Sequence, residues 1–234
     1  YTPVCEFAPV ISGSTSVGST LTVTDNGTWT GDPTPTFSYQ WKRGATNIGT
    51  NSTTYILVVA DTNQNITCVV TGTNAIGSGN CSSNIITVDN PFISTFRTTG
   101  PSETVTLPYE VAGTYSGTID WGDGNTSTNS YANRAHVYLI ASDYVITVTG
   151  VTTGFRFNNT GDKIKIRNIS NWGTLRLGSN ASYFYGCTNL TLTTVNGILD
   201  LTGTTTFSQM FRGCSSLTTV ANINSWNTSA VTIM

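Results

Sequence analysis

Short runs of alternating apolar and polar residues recur along the first 90 positions, at residues 19–23, 37–42, 54–58, 66–71 and 84–88. Turn-forming clusters separate them, at Asp25-Asn26-Gly27, Gly31-Asp32-Pro33 and Gly77-Ser78-Gly79. A period of two bounded by Gly, Pro, Asn and Asp predicts short strands, and this spacing predicts an all-β sandwich. Pro91 opens a short linker. Strand-like runs follow at residues 103–107, 113–121 and 144–149, and they predict a second sandwich. Lys163, Lys165 and Arg167 then alternate with Ile164 and Ile166, which predicts a strand with one solvated face.

The last third is organised by a repeat. Phe184-Tyr185-Gly186-Cys187-Thr188-Asn189-Leu190 returns 27 residues later as Phe211-Arg212-Gly213-Cys214-Ser215-Ser216-Leu217. Ile169-Ser170-Asn171-Trp172 returns after 54, twice that step, as Ile223-Asn224-Ser225-Trp226. A fixed period of this size predicts a solenoid, in which each coil buries its apolar positions against the next. Residues 155–169 then form its capping edge. The sequence stops in mid-repeat at Met234, so the expectation is a piece of a longer chain. Cys187 and Cys214 fall one coil apart among apolar neighbours, which predicts core rungs; stacking also brings the two thiols within reach of each other. Trp172 and Trp226 read either as repeat-defining packing residues or as a ligand surface on which sugars stack.

Composition adds that the surface carries little charge: 9% of residues are charged and 38% hydrophobic. Solubility then rests on Thr, Ser, Asn and Gly. A net charge of -2 provides no field to recruit nucleic acid. Five basic residues, Lys163, Lys165, Arg167, Arg176 and Arg212, gather after position 160 against Asp162 and Asp200; a solvated face is favoured over an anion-binding patch. No apolar run approaches the roughly 18 residues of a membrane span, so no membrane insertion is expected in this segment.

The candidate chemistry is thin. His136 is the single histidine, and no nucleophile with an orienting group accompanies it. Asp120, Asp123 and Asn125 form a weak calcium candidate, since the spacing lacks the twelve-residue acidic loop and its terminal Glu. The five cysteines show no metal-ligand spacing. No cofactor and no catalytic residue is expected.

Three resemblances organise these pieces. Gly27-Thr28-Trp29, the run from Pro33 through Tyr39-Gln40-Trp41 to Arg43, and Ile66-Thr67-Cys68-Val69-Val70 resemble bacterial and phage Ig-like domains. That likeness makes Trp41 the core tryptophan and Cys68 a buried free thiol, because Leu21 and Val23 stand where an antibody domain has its other cysteine. It also sets the first strand beside the last, which leaves a Cys5–Cys81 bridge open. Trp121-Gly122-Asp123-Gly124, with Ala135-His136-Val137-Tyr138 and Tyr144-Val145-Ile146-Thr147-Val148, resembles PKD modules, in which His136 would pack and hydrogen-bond. Trp226 to Met234 and Met210 to Leu217 resemble the two halves of the BspA-like leucine-rich repeat.

The fold expected is therefore all-β: two Ig-like sandwiches in tandem, residues 1–90 and 91–154, followed by the first coils of a leucine-rich-repeat-type solenoid over 155–234. The resemblances imply a non-enzymatic, surface-exposed adhesion or structural protein. A phage virion fibre or decoration protein displaying the repeat for host-surface or glycan attachment leads. A bacterial cell-surface adhesin and an accessory region of a secreted carbohydrate-active enzyme follow. The expected location is extracellular, and the expected partners are other virion or cell-surface proteins and a host glycan or protein, engaged through many copies.

Overall fold

The computed structural model describes residues 1–234, the side chain of Val59 excepted. The chain is all-β, with several antiparallel sheets, and among the described residues its helical structure is two 3-10 turns, Val59–Asp61 and Ile223–Ser225. It divides into two compact units, Tyr1–Asn90 and Pro91–Met234.

The first unit holds β1 (Val4–Phe7), β2 (Val10–Ser12), β3 (Thr20–Asp25), β4 (Thr28–Thr30), β5 (Thr36–Arg43), β6 (Thr46–Ile48), β7 (Thr54–Ile56), β8 (Asn65–Asn74), β9 (Gly77–Ser82) and β10 (Ile86–Thr87). One sheet runs β10-β8-β5-β6, with β9 also on β8; β2-β3-β7 and β1-β4 form two smaller ones. Alternation decides what is buried. Ile66, Cys68 and Val70 of β8 face inward with Leu21 and Val23 of β3, around Trp41. Burying each such side chain stabilises by roughly 1.5–3 kcal/mol. Trp41 sits opposite Cys68 in register, donates Nε1–H to the Ser52 carbonyl at 2.9 Å and stacks on Tyr55. The buried Asp61 carboxylate accepts from Arg43 Nε (2.7 Å), the Tyr55 hydroxyl (2.9 Å) and the Val58 amide (2.8 Å). A buried charge persists only when so satisfied.

Two expectations for this unit are corrected. Gly77-Ser78-Gly79 is not a turn but part of β9, and the turn is Ala75-Ile76. The glycines answer a close approach: a Cβ on Gly79 would strike the Pro3 carbonyl, and one on Gly77 would lie 2.8 Å from Thr2 Cγ2. The run 84–88 pairs only at Ile86–Thr87. Just before it, side chains replace the ladder. Ser83 Oγ accepts from the Cys68 amide, and the Asn84 amide group bonds both backbone groups of Ile11.

The second unit holds β11 (Phe92–Arg97), β12 (Glu103–Thr106), β13 (Tyr109–Tyr115), β14 (Thr118–Asp120), β15 (Thr126–Thr128), β16 (Ala135–Tyr138), β17 (Asp143–Val148), β18 (Thr152–Phe155), β19 (Ile166–Asn171) and β20 (Leu175–Arg176). Its sheets are β15-β14-β17-β11-β19, β13-β18-β20 and β12-β16. The expected single strand 113–121 breaks at Gly117 (φ 97°), which sends β13 and β14 to different sheets. Residues 163–165 form a turn, and the strand begins at Ile166. Lys165 holds that turn through ion pairs to Asp162 (2.8 Å) and Glu103 (3.0 Å).

The expected division at 154/155 is not a division in packing. β19 pairs with β11, and a single apolar core runs from Phe92 and Trp121 through Phe155 and Trp172 to Cys214 and Trp226. Beyond β18 the chain lays successive turns on one another in parallel. Phe157 N–H donates to Tyr183 O and Asn159 N–H to Tyr185 O; one turn on, Phe184 N–H donates to Met210 O and Gly186 N–H to Arg212 O. Parallel bridges Asn168–Thr191, Arg176–Asp200, Leu192–Val220 and Thr206–Ile233 continue the pattern on other sides of the turn. Leu190 and Leu192 are fully buried between them.

Candidate functional site

The Trp-Gly-Asp-Gly turn between β14 and β15 carries the candidate calcium set, and the structure assigns those groups otherwise. Asp120 Oδ1 accepts from the Gly122 amide (2.9 Å), Asp123 Oδ1 from the Asn125 amide (3.1 Å), and Asp123 Oδ2 meets His136 Nε2 at 2.8 Å. Burial alone would raise the Asp123 carboxyl. The bonds from His136 and Asn125 outweigh it and hold the group below its usual range. No three carboxylate, thiol or imidazole groups converge on one point among the described residues. In this structure the Asp120 and Asp123 carboxylates of the weak calcium candidate Asp120, Asp123 and Asn125 close the turn. His136 stacks on the buried Trp121 (5.1 Å, 17°) and meets Tyr138 edge-on, so its ring is fixed on both sides.

Cys5 and Cys81 are bridged, tying β1 to β9. Cys68, Cys187 and Cys214 are buried free thiols. Burial pushes Cys68 up to about 11 and Cys187 higher still, with Cys214 also raised. A protonated, enclosed thiol is a poor nucleophile and a poor ligand. Cys214 and Cys187 occupy the same rung of adjacent turns, in the core.

The ligand-surface reading of Trp172 and Trp226 is also corrected. Trp172 has no exposed surface, packing against Phe184 (6.1 Å) and edge-on against Trp226 (5.9 Å). Trp226 is 7% exposed and is one wall of an apolar groove of about 360 Å³ that also includes Phe207, Met210 and Phe211. Trp172 offers no face to a ligand, and Trp226 shows only the edge that lines this groove.

What the stack does present outward is the variable position of Phe-x-Gly-Cys. Tyr185 and Arg212 occupy it in successive turns, and the Arg212 guanidinium lies 5.2 Å from the Tyr185 ring centroid. The following glycines make room for this overlap. Gly186 (φ 81°) lies beneath Asn159 and the Lys163 stem, and Gly213 (φ 73°) beneath the Tyr185 ring. One turn earlier, Asn159 (φ 60°) holds the place of these glycines, and Lys163 Nζ donates to its carbonyl (2.7 Å) and to its Oδ1 (2.5 Å). Of the five clustered cations, Lys165 is paired as above and Arg176 binds Asp200 at 2.7 Å. Arg167 lends its charge to the Arg97–Asp143 pair, where Arg97 chiefly and Arg167 secondarily hold the carboxyl down. Lys163 and Arg212 have no carboxylate within ion-pair distance among the described residues. Sequence reasoning missed this column. Its only signal was the 27-residue spacing of Tyr185 and Arg212 at the one position where the two motifs differ strongly in character.

Residues 152–234 match the family described as "Mycoplasma protein of unknown function, DUF285", a stretch shorter than half of the chain. A solved structure described as "Anomalous substructure of Titin-A168169" is 19% identical, covering 64% of this chain and 84% of its own, with a TM-score of 0.23. No curated protein matches the chain.

Proposed function

We propose that this is a non-enzymatic, surface-exposed adhesion or structural protein. In this reading residues 1–90 are an Ig-like sandwich, 91–154 a PKD-like one, and 155–234 the first coils of a leucine-rich solenoid that meets the ligand. The observation that carries it is the single core running from Phe92 to Trp226, which makes the second sheet and the stacked turns one rigid mount for an outward column. Rigid mounting lowers the ordering cost of binding. The groups that could perform chemistry are otherwise engaged: His136 by Asp123 and Trp121, and the three thiols by the core.

The Cys5–Cys81 bridge supports an extracellular setting, where disulfides persist. A phage virion fibre or decoration protein is one such setting. The bacterial cell surface is the second reading, favoured by the match to a family whose description names Mycoplasma.

The test is attachment. The purified chain, coupled in many copies to beads, is presented to whole bacterial cells and to immobilised host glycans, with uncoated beads as control. Retention above the control is expected, since weak sites gain from multivalency. Absence of retention on every surface would sink the reading.

A further inference from the structure

We propose that the outward column formed by Lys163 on Asn159, Tyr185 and Arg212 is a binding strip for an acidic saccharide. Arg212 holds the sugar's carboxylate, Tyr185 takes an apolar face of the ring, and Lys163, at the other end, donates to a hydroxyl or a second acidic group further along the saccharide. The assignment rests on the display reading above and adds to it the residues and the ligand class.

Three observations carry it. First, the backbone holds three successive turns in register: Asn159 N–H donates to Tyr185 O at 3.0 Å and Gly186 N–H to Arg212 O at 2.8 Å, so Asn159 lies beside Tyr185 as Gly186 lies beside Arg212. Two steps of about 4.8 Å place the column's ends about 10 Å apart, a span suited to a short oligosaccharide.

Second, charge is uncompensated here and compensated nearby. Lys165 and Arg176 have carboxylate partners and Arg167 lies within the field of Asp143, while Arg212, beside an aromatic ring, is exposed and has no ion-pair partner among the described residues. A free planar guanidinium is the best protein partner for a carboxylate, which it can grip with two parallel bonds.

Third, the ring and the cations are already placed. Tyr185 is half-buried over Gly213, the Lys163 stem lies over Gly186, and the Lys163 ammonium is anchored by Asn159. Thr188 and Ser215 step along beside them, with Ser215 Oγ donating to the Thr188 carbonyl. This mixture of hydroxyls, one aromatic face and two cations suits a sugar. Two cations on a chain of net charge -2 suit a nucleic acid poorly, since its affinity scales with the number of phosphates neutralised.

The experiment measures binding of the whole chain to sialyllactose and to oligogalacturonate, with lactose as the neutral control, by calorimetry or surface resonance. Both acidic sugars should bind and lactose should not, with affinity falling as salt is raised. Arg212→Gln should weaken binding about tenfold, Arg212→Lys less, and Tyr185→Ala about as much as Arg212→Gln. Arg97→Gln, which alters an exposed pair elsewhere, should change nothing. Arg212→Glu, at an exposed position, separates a charge effect from misfolding: it should abolish binding while leaving the thermal midpoint in place.

Equal binding by the parent and Arg212→Gln chains, or equal binding of lactose, would overturn the strip. If the chain adheres to cells but takes up no acidic sugar, the strip falls and the display reading stands. If it neither adheres nor takes up sugar, both fall.

Discussion

The Cys214 thiol donates to the Phe184 carbonyl at 3.0 Å, reaching back one turn of the stack from the same rung as Cys187. The bond gives the repeat cysteine a physical role: it adds a second donor to a carbonyl that already accepts from the Cys187 amide of its own turn. Replacing Cys214 by Ala removes the bond and leaves a small void, at a cost of about 1 kcal/mol for the bond. Cys214→Ser restores a donor and should recover part of that. Burial pushes all three free thiols up, so little thiolate exists near neutrality. A disulfide reagent at mildly alkaline pH should therefore leave Cys68, Cys187 and Cys214 unmodified in the native chain and modify all three in denaturant. Rapid modification of the native chain would contradict the placement of these residues.

The Cys5–Cys81 bridge spans a sequence separation of 76 and fastens β1 across β9. Closing a loop of that size restricts the unfolded chain by roughly 4 to 5 kcal/mol. Reduction should lower the unfolding midpoint of the first unit and leave the second, which has no bridge, where it was. Denaturant unfolding with and without reductant, followed by Trp41 fluorescence in the first unit, checks this. A common shift of both units would mean that the bridge acts on more than its own unit.

Glu103 provides a pH handle on the second unit. Its carboxylate accepts from the Thr99 amide (2.7 Å) and the Gly100 amide (3.3 Å) and pairs with Lys165 (3.0 Å). The Thr99 bond first, then Lys165, hold its pKa down from 4.5 to about 2. A folded-state pKa below the unfolded value means the unfolded chain binds the proton first. The stabilisation is thus complete above the unfolded value and is lost as pH falls from there towards 2. The second unit should unfold more easily over that window, and Glu103→Gln should flatten this part of the profile while lowering stability at neutral pH. An unchanged acid profile in the variant would show that other carboxylates govern it.

How far the sequence announced these features depended on whether the signal was local. The 27-residue echo was visible because Cys187 and Cys214, and Leu190 and Leu217, must meet the same environment in each turn. Trp41 and Cys68 were readable as core through the resemblance to Ig-like domains, which the residues around them carry. What was missed depends on contacts between distant segments. Gly77 and Gly79 look like turn residues until Thr2 and Pro3 are seen lying across them. Gly117 gave no warning that the run 113–121 changes sheets there, because a single positive-φ glycine in a strand reads equally as a bulge. Lys163-Ile164-Lys165 alternates like a strand, yet the ion pairs of Lys165 fold it into a turn. The column at Tyr185 and Arg212 needed both the period and the knowledge of which position points outward.

The two glycines beneath that column make the sharpest comparison in the stack. Gly186 and Gly213 hold equivalent places, with φ of 81° and 73°. Any L-residue there bears the left-handed penalty of about 1–2 kcal/mol. Their surroundings differ, however. A Cβ on Gly186 would strike Asn159 Oδ1 and lie 2.9 Å from Lys163 Cδ, whereas on Gly213 its nearest neighbour would be Gly186 Cα at 3.6 Å. Gly213→Ala should therefore cost only the backbone term. Gly186→Ala should cost that and also push Asn159 and Lys163 aside, breaking the bonds between them. Thermal or denaturant unfolding of the two variants should place Gly186→Ala clearly below Gly213→Ala. Asn159→Ala in the Gly186→Ala background should recover part of the difference, since it removes the atom in the way. Equal destabilisation of both variants, with no recovery, would mean that Lys163 and Asn159 do not lie over Gly186.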